Sequence, residues 1–257
     1  MRVKLFVFFL LMTFASGYGN SADNPLFKSS TRQKIAPYLL PLDNSLKPVL
    51  DAIFLPARVT ANASTFEAAG FVTVCAQQSS CVRVAKHPEV PGYLFKVYLD
   101  SEVRQKEDQP GWKRLKQRCR SVAKIRALIN RKHLNHFVVP DKWIYPLPYY
   151  PISPGPIDQP IVLLVTDMNL VDRNQTKFAW KNLATKEILH ELYIILSHGY
   201  GSSFLTGNIP YTQSGKFALV DTEYPRRAIK MKNVKKYLSS EMAAYWDRLV
   251  KSDGKKK

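Results

Sequence analysis

Asn208 and Asp221 are the two residues of this chain with the clearest chemical content. They lie thirteen positions apart, at the two ends of a segment that reads as a short hairpin. Asn208 sits in a loop. Residues 209–211 and 216–220 are strand-like runs, and Ser214 and Gly215 supply the turn between them. Asp221 follows the last apolar residue of the second run. An amide and a carboxylate presented side by side by one hairpin are hard oxygen donors, suited to holding Mg²⁺ against phosphate oxygens. The alternative for Asp221 is a polar residue that simply ends a strand.

The elements that must position these groups can be read from periodicity. Three β-rich runs, 70–75, 81–85 and 92–99, are separated by turn residues and read as an antiparallel meander. In the third, Lys96 lies between Phe95 and Val97, so it points opposite to its apolar neighbours, into a cleft or into solvent. A helix is predicted next, because Trp112, Leu115, Cys119, Val122, Ile125 and Ile129 recur at three- and four-residue steps. Its other face is basic. Nine Lys and Arg fall between Gly111 and Lys132 with no acid, and Lys113, Lys116, Arg120 and Lys124 form one row. That row is either a solvated face or an anion-docking surface. A strand at 138–145, a proline-rich connection at 147–160 and a continuous apolar strand at 161–165 follow. An amphipathic helix at 185–198, with Gly199 as its C-cap, leads into the Asn208–Asp221 hairpin. A last helix is predicted around 234–250.

This order resembles that of the protein-kinase-like superfamily, which includes protein kinases and the aminoglycoside and choline kinases. The resemblance covers residues 70–223. It implies an α+β, two-lobed fold: an antiparallel N-lobe sheet with one helix, a hinge, and a more helical C-lobe. It also implies ATP and Mg²⁺ as cofactors. Under it, Lys96 is similar to the strand lysine that contacts the nucleotide phosphates. Val165 and Asp167 belong to a hinge, 165–169, that bonds adenine through its backbone. Asn208 is similar to the metal-binding loop Asn, and Asp221 to the Asp of the Asp-Phe-Gly motif, here Asp-Thr-Glu. The thirteen-residue spacing agrees. Glu223 adds a carboxylate, as a further metal ligand or phosphate-site residue.

Three departures from the family pattern bear on activity. Ser203 stands where the catalytic Asp is expected, and a hydroxyl cannot take up a proton from a substrate as a carboxylate can. The basic helix has no Glu to pair with Lys96; Glu102 and Glu107 precede it. Residues 77–80, two Gln and two Ser, stand where a Gly-rich phosphate loop is expected. The resemblance is therefore to a degenerate, pseudokinase-like member.

Other motifs are weaker. His133 and His136 have a metal-like spacing but lie in a basic segment with no acid beside them in sequence. His190 and His198 read as packing or capping groups on a helix. No nucleophile elbow, Walker loop or His-Glu-x-x-His occurs.

Composition bounds the rest. The 257 residues are 46% hydrophobic and 23% charged, enough for a real core. The charge is unusual: 38 Lys and Arg against 20 Asp and Glu, a net +18. A field of that size favours anionic partners, whether phosphates, acidic proteins or anionic surfaces. Arg2 and Lys4 precede an apolar run at 5–15, followed by small residues. This is a signal-peptide pattern, too short to span a bilayer, with an uncleaved anchor as the alternative. Three Cys are too few for a disulfide scaffold. Cys75 and Cys81 flank a turn and either pair or remain thiols. Asn62–Ser64 and Asn174–Thr176 match the glycosylation triplet.

The expected organisation is a signal peptide at 1–22, an N-terminal extension at 23–63, a sheet and basic helix at 64–165, helices and the hairpin at 166–250, and a basic tail at 251–257. The expected function is an exported kinase-like protein that binds Mg-nucleotide with weak or no phosphotransfer. The alternative is a non-enzymatic exported protein that docks an acidic partner or surface. Nucleic acid is not expected, since no reading module is present. No later segment reaches membrane-spanning length.

Overall fold

The computed structural model describes residues 29–77, 82–102, 111–154, 159–222 and 229–253. Five strands form one antiparallel sheet in the order β1 (Val72–Gln77), β2 (Val82–Lys86), β3 (Tyr93–Val97), β6 (Ile161–Thr166), β5 (Lys142–Pro146). The first three are the meander expected from the turn residues between them. The continuous apolar run of β6 reflects coverage on both faces, since all five residues from Ile161 to Val165 are buried. Alternation divides them: Val162 and Leu164 face one layer, while Ile161, Leu163 and Val165 face another.

The first layer is built by the N-terminal segment. After α1 (Ser29–Ile35), α2 (Leu46–Phe54) and α3 (Ala63–Ala68) set Leu50, Phe54 and Phe66 against Phe95, Val97 and Leu164. Phe66 stacks on Phe71 at 4.2 Å, and Phe71 meets Phe95 edge-on at 5.0 Å. Asn62 starts α3 with a capping box: its side chain accepts from the Thr65 amide at 3.0 Å, and Thr65 Oγ1 accepts from the Asn62 amide. Position 64, where the strand-rich part was expected to begin, therefore lies inside a helix. The helix starts there because two backbone amides, those of Asn62 and Thr65, find side-chain partners.

The second layer is α4 (Gly111–Lys132), the predicted basic helix. Leu115 and Cys119 pack beneath the sheet, while Ile125 and Leu128 enter a separate helical core. One helix thus joins both cores. The helical core contains α6 (Lys186–Ser197), α8 (Ser240–Asp253) and the 3₁₀ turn Met231–Tyr237. The periodicity reading did not assign α5 (Arg173–Phe178) or the π turn Ala179–Leu183, which bury Trp180 against Phe217 at 3.8 Å. The strand expected at 138–145 is split by Pro140 into β4 (Phe137–Val138) and β5. β4 leaves the main sheet and pairs in parallel with β7 (Phe217–Ala218). The last predicted helix is likewise broken into the 3₁₀ turn and α8.

A buried ion pair clips three distant segments together. Arg58 donates to Asp100 through Nε at 2.8 Å and Nη2 at 3.1 Å, and Nη2 also reaches the Gln159 carbonyl. Asp100 Oδ1 accepts the Gln159 amide at 2.9 Å. Removing one member strands the other charge in the interior, so Asp100→Ala is expected to cost about 3–5 kcal/mol in urea unfolding. Arg58→Met with Asp100→Leu should recover most of that loss. A cost below about 1 kcal/mol for the single change would mean that the pair is solvated.

Candidate functional site

β3 sets the first site residue by its pleat. Phe95 and Val97 face the aromatic layer, so Leu94 and Lys96 must face the other side. There they line a cleft of about 380 Å³, together with Val82 and Val84 of β2 and Val165 of β6. Apolar groups supply most of the wall, and Met168 and Leu170 add to it beyond β6.

The Asn208–Asp221 segment lines the same cleft. Asn208 closes the one-turn helix α7 (Leu205–Asn208) and is not in a loop, because its amide reaches the Phe204 carbonyl at 3.0 Å. The hairpin that follows is real in its hydrogen bonds. Ala218 N donates to Pro210 O at 2.9 Å, and Val220 N donates to Asn208 O at 3.2 Å. Its tight turn needs Gly215, which has φ +80°. The Val220–Asn208 bond is what brings Asn208 and Asp221 side by side.

Two cations that the sequence reading did not single out complete the site. Arg118 of α4 is 6% exposed, lines the cleft, and donates from Nη1 to Asp221 Oδ1 at 3.0 Å. Lys142 of β5 is buried beside them. Its Nζ donates to the Val220 carbonyl at 3.1 Å and to Thr222 Oγ1 at 2.8 Å. Thr222 Oγ1 in turn donates to the Arg118 carbonyl at 3.0 Å. Asp221 is therefore held between two residues that are themselves tied to β5 and α4. Signals for both cations exist in the sequence. Arg118 lies within the Leu115–Val122 apolar stripe, and Lys142 is two positions before Ile144 on the inward face of β5.

The electrostatics follow from this crowding. Lys142 is held well below the usual lysine range, first by burial, then by Lys96 and Arg118; Asp221 and Cys119 oppose the shift. Burial pushes the neighbouring Cys119 thiol up to about 12, so it is no nucleophile.

Lys96, Val165, Asn208 and Asp221 thus meet in one cleft. Asp167 does not line it. Its amide donates to the Gly92 carbonyl at 2.8 Å and its carboxylate pairs with Lys86 at 2.8 Å, so neither group is turned to a cleft ligand. Ser203 is half-buried just before α7 and is not among the cleft residues. Glu223, the candidate partner Cys81 and the turn at 78–81 lie outside the described residues. Glu102, before α4, pairs with Arg83 and not with Lys96.

The Mg²⁺ expectation meets a difficulty here. Among the described residues of the cleft, the side-chain oxygen donors are the Asn208 amide, the Asp221 carboxylate and the Thr166 hydroxyl, and a guanidinium already occupies an oxygen of that carboxylate. A divalent ion about 5 Å from a guanidinium is repelled by roughly 7 kcal/mol at an effective dielectric near 20. Among the described residues, one oxygen of the expected metal ligand Asp221 is thus already engaged by a cation of the protein.

A second cluster joins His136, Glu187 and Glu191, whose ligand atoms lie within 4.8 Å of one another. The structure thereby brings acids to the His133–His136 segment that the sequence showed without any. Glu191 is nonetheless explained by local structure: it accepts the Asn135 and His136 amides at 3.2 and 3.0 Å and His136 Nδ1 at 2.9 Å. It caps the turn after α4, where His133 has φ 51°.

A scan against protein-family models finds no match to this chain, and a search of curated proteins finds none either. No helix among the described residues is long and apolar enough to cross a membrane.

The buried lysine gives a pH prediction. The unfolded chain keeps that proton up to about pH 10.4, while the folded chain gives it up earlier. Between the two values the unfolded state binds more protons, so stability rises with pH, by at most about 1.4 kcal/mol per unit. Measured against Lys142→Met by denaturant titration, wild-type stability is expected to climb as the pH rises toward about 10. A flat difference would mean that the ammonium stays charged when folded.

Proposed function

We propose that this chain is an exported, degenerate protein of the kinase-like type that binds a nucleotide in the cleft and transfers phosphate slowly or not at all. The two-lobed form of that fold is part of the proposal. What supports it is one observation above the rest: Lys96, the β6 exit at Val165, and Asn208 and Asp221 of the hairpin line a single cleft, although they come from three separate segments. The cleft volume of about 380 Å³ suits a small ligand, and its mostly apolar wall suits a base. A single antiparallel sheet crossed by one helix, with a helical core beyond β6, is the arrangement that the resemblance implies.

Slow transfer follows from the same geometry. Ser203 is not a base and does not face the cleft, so the help worth typically about 10²–10⁴-fold from a general base is missing. Export brings the chain to compartments poor in ATP, which favours a binding role over a catalytic one.

Titration of the full chain with ATP tests this reading. Binding is expected, and Lys96→Met should weaken it at least about tenfold, since a charge-assisted bond to phosphate is lost. Turnover should stay undetectable, and Ser203→Asp should not create it. Brisk phosphotransfer by the wild type, or ATP binding indifferent to Lys96, would overturn the assignment.

A second reading, a polyanion-docking surface, is favoured by a separate observation. Lys34 of α1 joins Lys113 and Arg120 around Lys116, which burial and these three like charges hold below the usual lysine range. Like charges gathered from two helices suit an acidic partner more than a merely solvated face. Retention on a heparin matrix should fall steeply with salt and be lost when Lys113, Lys116, Arg120 and Lys124 are changed to Glu. Retention unaffected by those changes would assign the charge to solubility.

A further inference from the structure

We propose that the cleft holds its phosphate-bearing ligand without a metal ion, Arg118 supplying from the protein the positive charge that a divalent cation would otherwise bring. The inference rests on the nucleotide reading above and sharpens it.

The place where a metal would meet Asp221 is already served by a cation. Arg118 Nη1 lies 3.0 Å from Asp221 Oδ1, and its side chain is 6% exposed. It is fixed there from both ends. The Arg118 carbonyl takes the Thr222 hydroxyl at 3.0 Å, and Lys142 holds Val220 and Thr222 on either side of Asp221. These bonds fix the backbone on both sides of the pair, so Arg118 and Asp221 face each other from held positions.

The pair is not sealed into a core. Both members line the open cleft, and the Asp221 side chain is 35% exposed. A ligand entering past Val84 and Leu94 therefore meets Lys96 on one wall and the Arg118–Asp221 pair on another. Lys96 and Arg118 thus put two cationic side chains beside one carboxylate in the cleft. A phosphate relieves that crowding, whereas a divalent cation adds to it. The guanidinium is also the better fixed counterion. It stays charged at any working pH, and its planar fork matches two phosphate oxygens.

On this account Asp221 orients Arg118 and does not coordinate a metal. Its negative charge then opposes the phosphate. This reverses the sign of a mutation: loss of a metal ligand weakens nucleotide binding, while loss of a repelling carboxylate strengthens it.

The test is calorimetric titration of the full chain with ATP, in excess EDTA and again in excess Mg²⁺. Binding in EDTA is expected to equal or exceed that in Mg²⁺. Asp221→Asn, which keeps the oxygen that accepts from Arg118, should tighten binding in EDTA by about fivefold. Arg118→Gln should weaken it at least about tenfold. Wild-type binding that vanishes in EDTA and returns with Mg²⁺, or that is lost in Asp221→Asn, would overturn metal independence while leaving the nucleotide reading intact. Failure to bind ATP in either buffer would overturn both. Should Arg118→Gln fail to fold, Asp221→Asn decides alone: tighter binding supports the inference, and weaker binding ends it.

Discussion

A lysine side chain buried between β5 and the end of the hairpin organises the cleft. Lys142 donates to Val220 and Thr222, the residues on either side of Asp221. A short two-residue strand such as β7 has little hold of its own, so the segment after it needs an anchor. Lys142 provides that anchor from the sheet, and the Thr222 hydroxyl passes it on to α4 through the Arg118 carbonyl. Sheet, helix and hairpin meet at this one point. The interior location is costly for a charge, and the shift on Lys142 expresses that cost.

The departures from the kinase-like pattern then form a consistent set. Where that pattern has an acid on the helix facing the strand lysine, this helix turns Arg118 into the cleft. Where it leaves the hairpin Asp to a metal, that Asp is engaged by the same arginine. The charge on the helix is inverted, and the charge required of the ligand site changes with it. A carboxylate base beside such a cluster would be held ionised and bound to its neighbours, poorly suited to taking up a proton.

Much of this arrangement was legible in the residues. The meander, α4 and α6 each follow from period, because their apolar residues recur at strand or helix spacing. The orientation of Lys96 follows from alternation with Phe95 and Val97. The pairing of Asn208 with Asp221 follows from the Gly215 turn. Other features were hidden. Arg118 and Lys142 look like surface charges by type, and only their places within the apolar stripe of α4 and two positions before Ile144 in β5 mark them as inward-facing. Asp167 looks available in a hinge, yet the turn before β3 takes its amide. The acids near His136 come from α6, more than fifty positions away. The residues around Trp180 have no single period, because the helix there widens into a π turn.

The parallel pairing of β4 with β7 has a consequence for how the molecule comes into being. All five strands of the main sheet have been synthesised by residue 166, but the hairpin that walls the cleft on its other side ends at residue 221. During synthesis the chain therefore passes through a stage, about fifty residues long, in which α4 can already pack on Val82 and Val165 but the hairpin that completes the cleft beside Val84 and Leu94 is missing. Only when Phe217 finds Phe137 and stacks on Trp180 can that apolar wall be closed. The cleft is a seam between an earlier part of the chain and a later one. A newborn chain would be most vulnerable to sticking there, and a chaperone or early ligand acting at that seam would influence yield more than affinity.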